Sequence, residues 1–398
     1  MAPSPVVKAY PNLLHAVTDG LYETFDGRYA DRVVADLLKR DKRWGSRDRA
    51  FIAETVYEIV RWRRLLEHIA GRGEPEFLLA AHWWRTRGEV LDVAGFPVLY
   101  APDLARGAAF AKTQRAIRES IPDWLDMLGA EELGHGWPNT LSALNQPASV
   151  YLRTNTLKTE RRNLVSSLSG EGFEVEEDPR SPEAIKVLRR RNLWSTKAFE
   201  LGQYEVQDIA SQRIAHALEV EPGMTVVDAC AGAGGKTLHL AALLGNRGRL
   251  IALDTDERKL KELKRRAKRA GVQNLDVRVI TSSKVVKRLS GRADRVLLDV
   301  PCTGLGVLRR NPDAKWKLEP GFLAEVKTWQ ADILERYVRM VKPGGRVVYA
   351  TCSILPSESE AQVAKFLEKA QGVTEEARER LSPVDDYDGF FWSRLAVG

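Results

Sequence analysis

Apolar runs and amphipathic stretches alternate along the second half of the chain. The apolar runs are Thr225–Asp228, Leu250–Asp254, Val277–Ile280, Arg295–Asp299 and Arg346–Tyr349. The stretches between them have helical character. Strands that alternate with helices in this way predict an α/β fold with a parallel, doubly wound sheet. Such sheets bind ligands beyond the carboxyl ends of their strands, so the loops there are the first place to look for chemistry.

The first third of the chain has a helical pattern from residue 6 to about residue 134. It is clearest over Ser46–Ile69, where apolar side chains recur at helix spacing at Ile52, Val56, Ile59 and Val60. We therefore predict a helical N-terminal domain over residues 1–140. Residues 136–147 are rich in Gly, Pro, Asn and Ser, which is typical of a linker.

A short segment over residues 148–203 has a third pattern. Val150–Leu157 reads as a strand and Glu160–Ser169 as a helix, and Phe173–Glu177 and Ile185–Leu188 read as two further strands. This order predicts a small α+β segment, followed by the main α/β domain over residues 204–398.

Composition and charge limit the class of protein. The 398 residues include 61 Lys and Arg against 54 Asp and Glu, a net charge of +7 that permits a polyanionic partner. The cysteines show no C-x-x-C pairing and the histidines are scattered singly, so we predict neither a disulfide framework nor a metal site. No secretory leader and no apolar stretch of spanning length are recognisable. We expect a cytoplasmic protein without a membrane partner.

Arginines cluster around two tryptophans, Trp44 and Trp62, in the helical region. The arginines are Arg43, Arg47, Arg49, Arg61, Arg63 and Arg64. Guanidinium groups and aromatic rings suit the phosphates and bases of a nucleic acid. A solvated helix face with core tryptophans explains the same pattern, and the sequence leaves both interpretations open.

A glycine-rich loop, Asp228–Thr237, follows the first strand of the α/β domain. Its Gly-Lys-Thr end is similar to a phosphate-binding P-loop, but that motif needs a glycine at position 230, which is cysteine. The G-x-G-x-x-G dinucleotide fingerprint also fails, because its third glycine would fall on Thr237. A nucleoside-type ligand such as S-adenosyl-L-methionine remains, with Asp254 after the second strand placed to accept hydrogen bonds from a ribose.

Two cysteines follow two strand ends, Cys302 in Asp-Val-Pro-Cys and Cys352 in Ala-Thr-Cys-Ser. Either one alone could be a small buried apolar residue. Together, at one edge of a cofactor-binding sheet, they indicate covalent chemistry. Carbon 5 of a pyrimidine attacks a methyl group poorly until a nucleophile adds to carbon 6, and a thiolate is suited to that addition. Asp299 could bind the ring nitrogen edge during this step.

With these motifs the chain resembles the RNA cytosine-5 methyltransferases of the RsmB/Sun/Nop family over essentially its whole length. The matching stretches are Asp228–Thr237, Leu298–Gly306, Arg309–Trp316, Ala350–Ser353 with Pro356 and Glu358, Tyr204–Ser211, Arg153–Leu157 and Asp388–Phe391. The resemblance implies a Rossmann-like class I methyltransferase domain over residues 204–398, preceded by an RNA-binding α+β segment and a helical RNA-binding accessory domain. It also implies that Ser282 stands where the family commonly has an aspartate near the adenine of the cofactor.

The resemblance further implies the role of each site residue. Cys352 would be the nucleophile, Cys302 would assist release of the methylated base, and Asp299 would lie between cofactor and target ring. The cofactor, S-adenosyl-L-methionine, would be bound by Cys230, Ala231, Gly232, Ala233, Gly234, Gly235, Lys236, Asp254, Ser282 and Asp299. RNA would be bound by Arg153, Asn155, Arg309 and Arg310. Ribosomal RNA is the first expected partner and transfer RNA the second, and the protein is expected to be a monomer.

Competing functions differ at identifiable residues. A DNA cytosine-5 methyltransferase would carry Glu-Asn-Val, which does not occur in the chain, so no DNA partner is expected. An exocyclic-amine methyltransferase would carry an Asn/Asp-Pro-Pro-aromatic element and no thiol. A catalytically idle RNA-binding or ribosome-assembly factor remains as the alternative from a different class, and loss of cofactor binding would favour it.

Overall fold

The computed structural model describes residues 10–398, which group into two structural units. The first unit contains Met1–Asn145 and Leu308–Leu318, and the second contains Gln146–Val307 and Glu319–Gly398. The predicted start of the helical region at Val6 lies outside the described residues. Within residues 10–398, no helix is both long enough and apolar enough to cross a membrane.

The helices and strands are numbered in chain order. The helices are α1 Pro11–Phe25, α2 Ala30–Leu37, α3 Ser46–Arg61, α4 Arg63–Ala70, α5 Pro75–Arg87, α6 Ala101–Ala111, α7 Arg115–Arg118, α8 Asp123–Leu133, α9 Trp137–Leu144, α10 Arg161–Gly170, α11 Lys197–Glu200, α12 Ile209–Ala217, α13 Gly235–Leu243, α14 Glu257–Ala270, α15 Ser283–Lys287, α16 Ala314–Lys317, α17 Pro320–Tyr337 and α18 Glu360–Leu367. The strands are β1 Val150–Thr154, β2 Val175–Glu177, β3 Ala184–Val187, β4 Tyr204–Val206, β5 Thr225–Asp228, β6 Arg249–Asp254, β7 Leu275–Val279, β8 Ala293–Asp299, β9 Val341–Thr351, β10 Val373–Leu381 and β11 Phe390–Val397.

The first unit is helical, as its apolar periodicity predicts. The segment predicted as one helix over Ser46–Ile69 is two, α3 and α4, because the backbone leaves helical geometry at Trp62. The predicted linker over residues 136–147 is wrong for most of its length, since α9 occupies Trp137–Leu144. Proline in the first turn suits a helix start, and the buried side chains of α9 recur at helix spacing at Trp137, Leu141 and Leu144.

Part of the arginine and tryptophan cluster of this unit is used for internal structure. Trp44 and Trp62 pack against the hydrophobic core of the helices. Arg49 donates a hydrogen bond to the carbonyl of Trp44 at 2.9 Å. Arg61 is buried. These contacts favour the interpretation in which the tryptophans belong to the core.

Residues Leu308–Leu318 belong to the helical unit. The sequence pattern predicts them instead to be part of the domain over residues 204–398. The physical reason lies at the end of α3, where the last backbone carbonyls have no partner within the helix. Lys315 Nζ donates to the Arg61 carbonyl at 2.8 Å, and Trp316 Nε1 donates to the Val60 carbonyl at 2.7 Å. The Arg61 guanidinium in turn donates to the carbonyl of Arg309 at 2.9 Å.

The main sheet of the second unit has seven strands in the order β10-β11-β9-β8-β5-β6-β7. The pairs from β9 through β7 are parallel, which confirms the predicted doubly wound α/β fold. The strand order reverses at β5, whose neighbours are β6 and β8, and the carboxyl end of such a switch point is where ligands bind. The antiparallel pairs of β11 with β9 and β10 were not predicted, because β10 is rich in charged residues and has a register shift near Glu375.

The small α+β segment forms an antiparallel sheet in the order β2-β3-β1-β4, together with α10. Its core includes Leu152, Leu164 and Ile185. On its other side, Tyr151 and Ala184 join a cluster of buried residues from the main domain. The segment is therefore packed into the second unit.

Candidate active site

The glycine-rich loop connects β5 to α13 at the switch point of the sheet. Gly232 and Gly234 adopt left-handed backbone conformations with φ of 53° and 89°. A Cβ atom built on Gly234 would lie 2.3 Å from Leu263 Cδ1, whereas one built on Gly232 would have no neighbour within 4 Å. Gly234 is thus required for packing of the loop. At Gly232 the backbone faces open space that a ligand can approach closely.

Asp254, at the end of β6, fixes the position of this loop. Its Oδ2 accepts a hydrogen bond from the Gly232 backbone N–H at 2.8 Å, and its Oδ1 accepts from that of Asp256 at 2.8 Å. The carboxylate remains partly exposed. An open glycine turn beside a partly exposed carboxylate fits a nucleoside-type cofactor such as S-adenosyl-L-methionine.

The first lysine of α13 is paired with the carboxylate at the end of β8. Lys236 Nζ lies 2.6 Å from Asp299 Oδ2. Burial alone would lower the pKa of Lys236, but the attraction of Asp299 outweighs it and the pKa lies above its usual range. Lys236 is therefore an ammonium ion committed to Asp299, which separates it from the phosphate-binding lysine of a P-loop.

The two cysteines meet, as their strand-end positions predict. Asp299 of β8 lies opposite Ala350 of β9 in the parallel register, and Cys302 and Cys352 follow these residues by three and two positions. The two Sγ atoms are 3.2 Å apart. The hydrogen bond to Cys352 and burial raise the pKa of the Cys302 thiol well above its usual range. Cys302 therefore keeps its proton at neutral pH and can donate it in a hydrogen bond to Cys352.

A buried carboxylate, Glu358, joins the two cysteine loops. It accepts hydrogen bonds from the Thr303 backbone N–H at 2.8 Å and from the Thr303 hydroxyl at 2.5 Å. It also accepts from the Ser353 hydroxyl and from Gln330 Nε2. Thr303 follows Cys302 and Ser353 follows Cys352 directly. The sequence places Glu358 in a motif but predicts no role for it. The only sign of its role in the sequence is that a hydroxyl residue, Thr303 or Ser353, directly follows each cysteine and can donate a hydrogen bond to a carboxylate.

The remaining residues predicted for the cofactor site differ in their surroundings. Burial raises the pKa of Cys230 well above its usual range, so this thiol is not an activated nucleophile. The Ala231 N–H donates to the Leu253 carbonyl at 2.9 Å, and the Ala233 carbonyl accepts from Arg266 at 2.7 Å. Ser282 is exposed immediately before α15. The contribution of each to cofactor binding stays a prediction.

Three of the four residues predicted to contact RNA are buried. Arg153 donates to the Gly235 carbonyl at 2.7 Å, and Asn155 donates to the carbonyls of Gly202 and Ala270, each at 2.8 Å. Arg309 is buried in the helical unit. The burial of these side chains argues against direct contact with RNA, and their assignment as RNA contacts stays a prediction. Arg310 is partly exposed, and its role stays a prediction.

Asp228 gives the site a pH-dependent contribution to stability. Burial raises its pKa from 3.8 to about 7, although the Thr237 hydroxyl donates to its Oδ2 at 2.6 Å. The raised pKa means that the carboxyl is protonated in the folded state at low pH and that stability is lost as the pH rises towards 7. We expect the free energy of unfolding of the parent to fall relative to Asp228→Asn by up to about 4 kcal/mol between pH 4 and 8, at about 1.4 kcal/mol per pKa unit.

Urea unfolding of the two proteins at several pH values measures this difference. A difference that does not change with pH would contradict the raised pKa of Asp228. Asp276→Asn on β7 is a matched control with the opposite sign, because a hydrogen bond from Arg278 lowers the pKa of that carboxyl.

Comparisons with known proteins agree with this geometry. The family described as 16S rRNA methyltransferase RsmB/F matches residues 215–395, and the RsmF/B-like ferredoxin-like domain matches residues 121–193. Ribosomal RNA small subunit methyltransferase B of Yersinia enterocolitica is 33% identical over 286 residues, which cover 69% of this chain and 66% of that protein. The chain spans 57% to 66% of the length of the first curated relatives that it matches.

Solved structures show the same architecture. The crystal structure of PH0851 has a TM-score of 0.83 at 24% identity and covers 98% of this chain and 99% of its own. A methyltransferase homolog from Pyrococcus horikoshii has a TM-score of 0.64 at 28% identity and covers 71% of this chain and 97% of its own. The fold is therefore that of Rossmann-like methyltransferases. Over residues 121–193 and 215–395 the chain belongs to the RsmB/RsmF methyltransferase family.

Proposed function

We propose that this protein transfers a methyl group from S-adenosyl-L-methionine to carbon 5 of a cytosine in ribosomal RNA, through a covalent bond between Cys352 and carbon 6. The observation that carries the proposal is the 3.2 Å contact between the two thiols at the end of the parallel strands β8 and β9. Methylation at an exocyclic amine or a hydroxyl would have no use for this pair, whereas methylation at carbon 5 needs both a nucleophile and a means of releasing it.

Cys352 is the residue of the pair that is suited to attack. The Cys302 thiol, whose pKa is raised, can donate a hydrogen bond that stabilises negative charge on Cys352 Sγ. The Lys236 ammonium adds positive charge in the same site, since the charge of Cys352 is among the causes that raise the lysine's pKa. A thiolate is favoured by neighbouring positive charge and by hydrogen bonds to its sulfur.

The reaction can be written with the residues of this site. The Cys352 thiolate adds to carbon 6, so that a C–S bond forms and carbon 5 becomes nucleophilic. Bound S-adenosyl-L-methionine supplies the electrophilic methyl group that carbon 5 takes up. The proton on carbon 5 is then removed and the C–S bond breaks, which restores the aromatic ring and the thiolate. Asp299 accepts a hydrogen bond from the exocyclic amine at the nitrogen edge of the ring, with its position held by Lys236.

Cys302 acts in the release step. It is next to Cys352 and therefore next to the base that Cys352 holds. Once the Cys352 sulfur is bonded to carbon 6 it no longer carries charge, so its hydrogen bond with Cys302 and its negative charge no longer raise the Cys302 pKa, whereas burial and the charge of Glu358 still do. Cys302 can then ionise and take the proton from carbon 5. The covalent step thus changes Cys302 from a hydrogen-bond donor into a base.

The RNA substrate is proposed from family membership and charge. The curated relative from Yersinia enterocolitica is named for the small ribosomal subunit RNA, which makes ribosomal RNA the first candidate. The net charge of +7 is compatible with a polyanionic partner. The target base must leave its stack to reach Cys352, so an unpaired cytosine is the expected target. Transfer RNA is the second candidate substrate.

The proposal is tested by methyl transfer from labelled S-adenosyl-L-methionine to unmodified ribosomal RNA, transfer RNA and DNA. We expect label in ribosomal RNA only, recovered as 5-methylcytosine after digestion to nucleosides. Label in another nucleoside would overturn the assignment to carbon 5. Label in transfer RNA alone would make transfer RNA the substrate in place of ribosomal RNA. RNA binding without transfer would support the idle RNA-binding factor instead.

Replacing Glu358 with glutamine tests how the two thiols are positioned. The amide keeps the size of the side chain but loses one acceptor oxygen and the charge that hold Thr303 and Ser353. Misplacing a catalytic group by about 1 Å can lower a rate about 100-fold, so we expect a 10- to 100-fold lower kcat with little change in cofactor affinity. Glu325→Gln, on the exposed face of α17, is the matched control. Equal rates for both variants would contradict a positioning role for Glu358.

A further inference from the structure

Three side chains with metal-ligand chemistry meet in the second unit, outside the residues assigned to methyl transfer. We propose that Glu183, His216 and His239 form a binding site for a divalent transition-metal ion of the zinc class. Each offers one ligand atom, and these atoms all lie within 4.8 Å of one another. Two imidazoles and one carboxylate are a ligand set that zinc uses in proteins.

The distances suit a small ion. Glu183 Oε2 is 2.8 Å from His216 Nε2 and 3.5 Å from His239 Nε2. A tetrahedral ion with bonds of about 2.0–2.2 Å places its ligand atoms roughly 3.4 Å apart. The two imidazole rings are nearly perpendicular, at 87°, with centroids 4.9 Å apart. Small side-chain movements would bring all three ligand atoms around one ion.

His239 is the observation that points to a ligand. Its side chain is 1% exposed, and neither of its ring nitrogens has a hydrogen-bond partner among residues 10–398. Buried polar side chains nearly always have a partner, so an imidazole without one needs an explanation. A metal ion bound to His239 Nε2 would explain why this nitrogen has no hydrogen-bond partner. His216 is 32% exposed, which leaves a path for the ion and space for a water as fourth ligand.

The site also has outer support. The Ser181 hydroxyl can donate its one proton either to Glu183 Oε2, at 3.4 Å, or to Gln212 Oε1, at 3.0 Å. Such outer hydrogen bonds orient metal ligands and are a usual part of metal sites. Ser181 and Gln212 are both buried.

The position of the site in the fold indicates what the ion would do. Glu183 directly precedes β3, His216 lies near the end of α12, and His239 lies in α13, the helix that begins at the glycine-rich loop. One ion would therefore tie the small sheet to the helix that carries the cofactor loop. The sequence predicted no metal site, because 33 and 23 residues separate the three ligands and no spacing motif links them. Only the fold brings them together.

Cobalt(II) is a suitable probe, because its visible spectrum reports tetrahedral coordination. The full-length protein, freed of metal by a chelator and carrying no histidine tag, is titrated with Co²⁺ and then with Zn²⁺ in competition. We expect one ion per chain, a tetrahedral spectrum without thiolate charge-transfer bands, and a melting temperature that rises with metal concentration. Glu183→Gln and His216→Gln should each weaken binding by at least about 100-fold, more than the loss of an outer-sphere residue.

His135→Gln changes an exposed histidine of the helical unit and is the matched control, expected to bind as the parent does. The proposal would be overturned if Glu183→Gln and His216→Gln bound Co²⁺ with the same affinity as this control. Thiolate charge-transfer bands would also overturn it, since they would place the ion on the Cys302 and Cys352 pair. Absence of saturable binding to the parent would have the same consequence. None of these results depends on methyl transfer.

Discussion

Replacing Cys352 with alanine is expected to lower methyl transfer to RNA by at least about 10⁴-fold, the order of loss seen when a covalent enzyme loses its nucleophile. The alanine methyl group cannot add to carbon 6, so carbon 5 stays unreactive. The rest of the site should be retained, because the loop is held by Glu358 through Thr303 and Ser353 and not by the Cys352 sulfur. The measurement is the initial rate of label transfer to unmodified ribosomal RNA.

A calorimetric titration with S-adenosyl-L-methionine is the control for this variant. We expect its cofactor affinity to stay within about twofold of the parent, because the glycine-rich loop and Asp254 do not contact Cys352 through any hydrogen bond described for residues 10–398. Cys352→Ser keeps a hydrogen-bonding group but not an ionisable thiol, and should be nearly as inactive. Substantial transfer by either variant would contradict Cys352 as the nucleophile.

Replacing Cys302 with alanine is expected to stop turnover at the covalent intermediate. Carbon 6 can still be attacked by Cys352 and carbon 5 can still be methylated, but no thiol remains next to Cys352 to take the proton from carbon 5. The protein should therefore accumulate attached to methylated RNA. Denaturing gel electrophoresis with labelled RNA measures this as a shifted band that nuclease treatment removes.

The double variant Cys302→Ala/Cys352→Ala is the control for that adduct. It lacks the attacking sulfur, so no shifted band should form. Cys302→Ala also loses the hydrogen bond that favours charge on Cys352, so adduct formation should be slower than attack by the parent. A Cys302→Ala protein that turns over at the parent rate would contradict the release role.

The parts of the site that follow from strand ends were predictable from the sequence. Apolar runs ending in Asp228, Asp254 and Asp299 locate the loops, and parallel strands place those loops at one edge of the sheet. The approach of Cys302 to Cys352 follows in the same way. These predictions depend on backbone topology, which the alternation of strands and helices determines well.

Side-chain burial was harder to predict. Arginine and asparagine usually lie on the protein surface. Arg153 and Asn155 are nevertheless buried, and their side chains donate hydrogen bonds to backbone carbonyls of other elements. Such bonds satisfy carbonyl groups at loops and helix ends, whose need for donors is not visible in a linear sequence. Glu358 is a similar case, since its donors come from two loops that meet only in the folded chain.

The placement of Leu308–Leu318 shows a second limit. The segment follows the Cys302 motif in sequence, and by pattern it belongs to the α/β domain. Its side chains Lys315 and Trp316 instead complete the end of α3 in the helical unit. Contacts between segments about 250 residues apart have no local signal, so domain limits drawn along the sequence miss them.

In the proposed mechanism Cys352, and not Cys302, carries the bond to the RNA base. The most direct test is mass spectrometry of peptides from the Cys302→Ala protein after reaction with ribosomal RNA and S-adenosyl-L-methionine, followed by nuclease digestion. We expect a mass increase of one methylated cytidine nucleotide on the peptide that contains Cys352. An unmodified Cys352 peptide, or a nucleotide attached to any other residue, would contradict it.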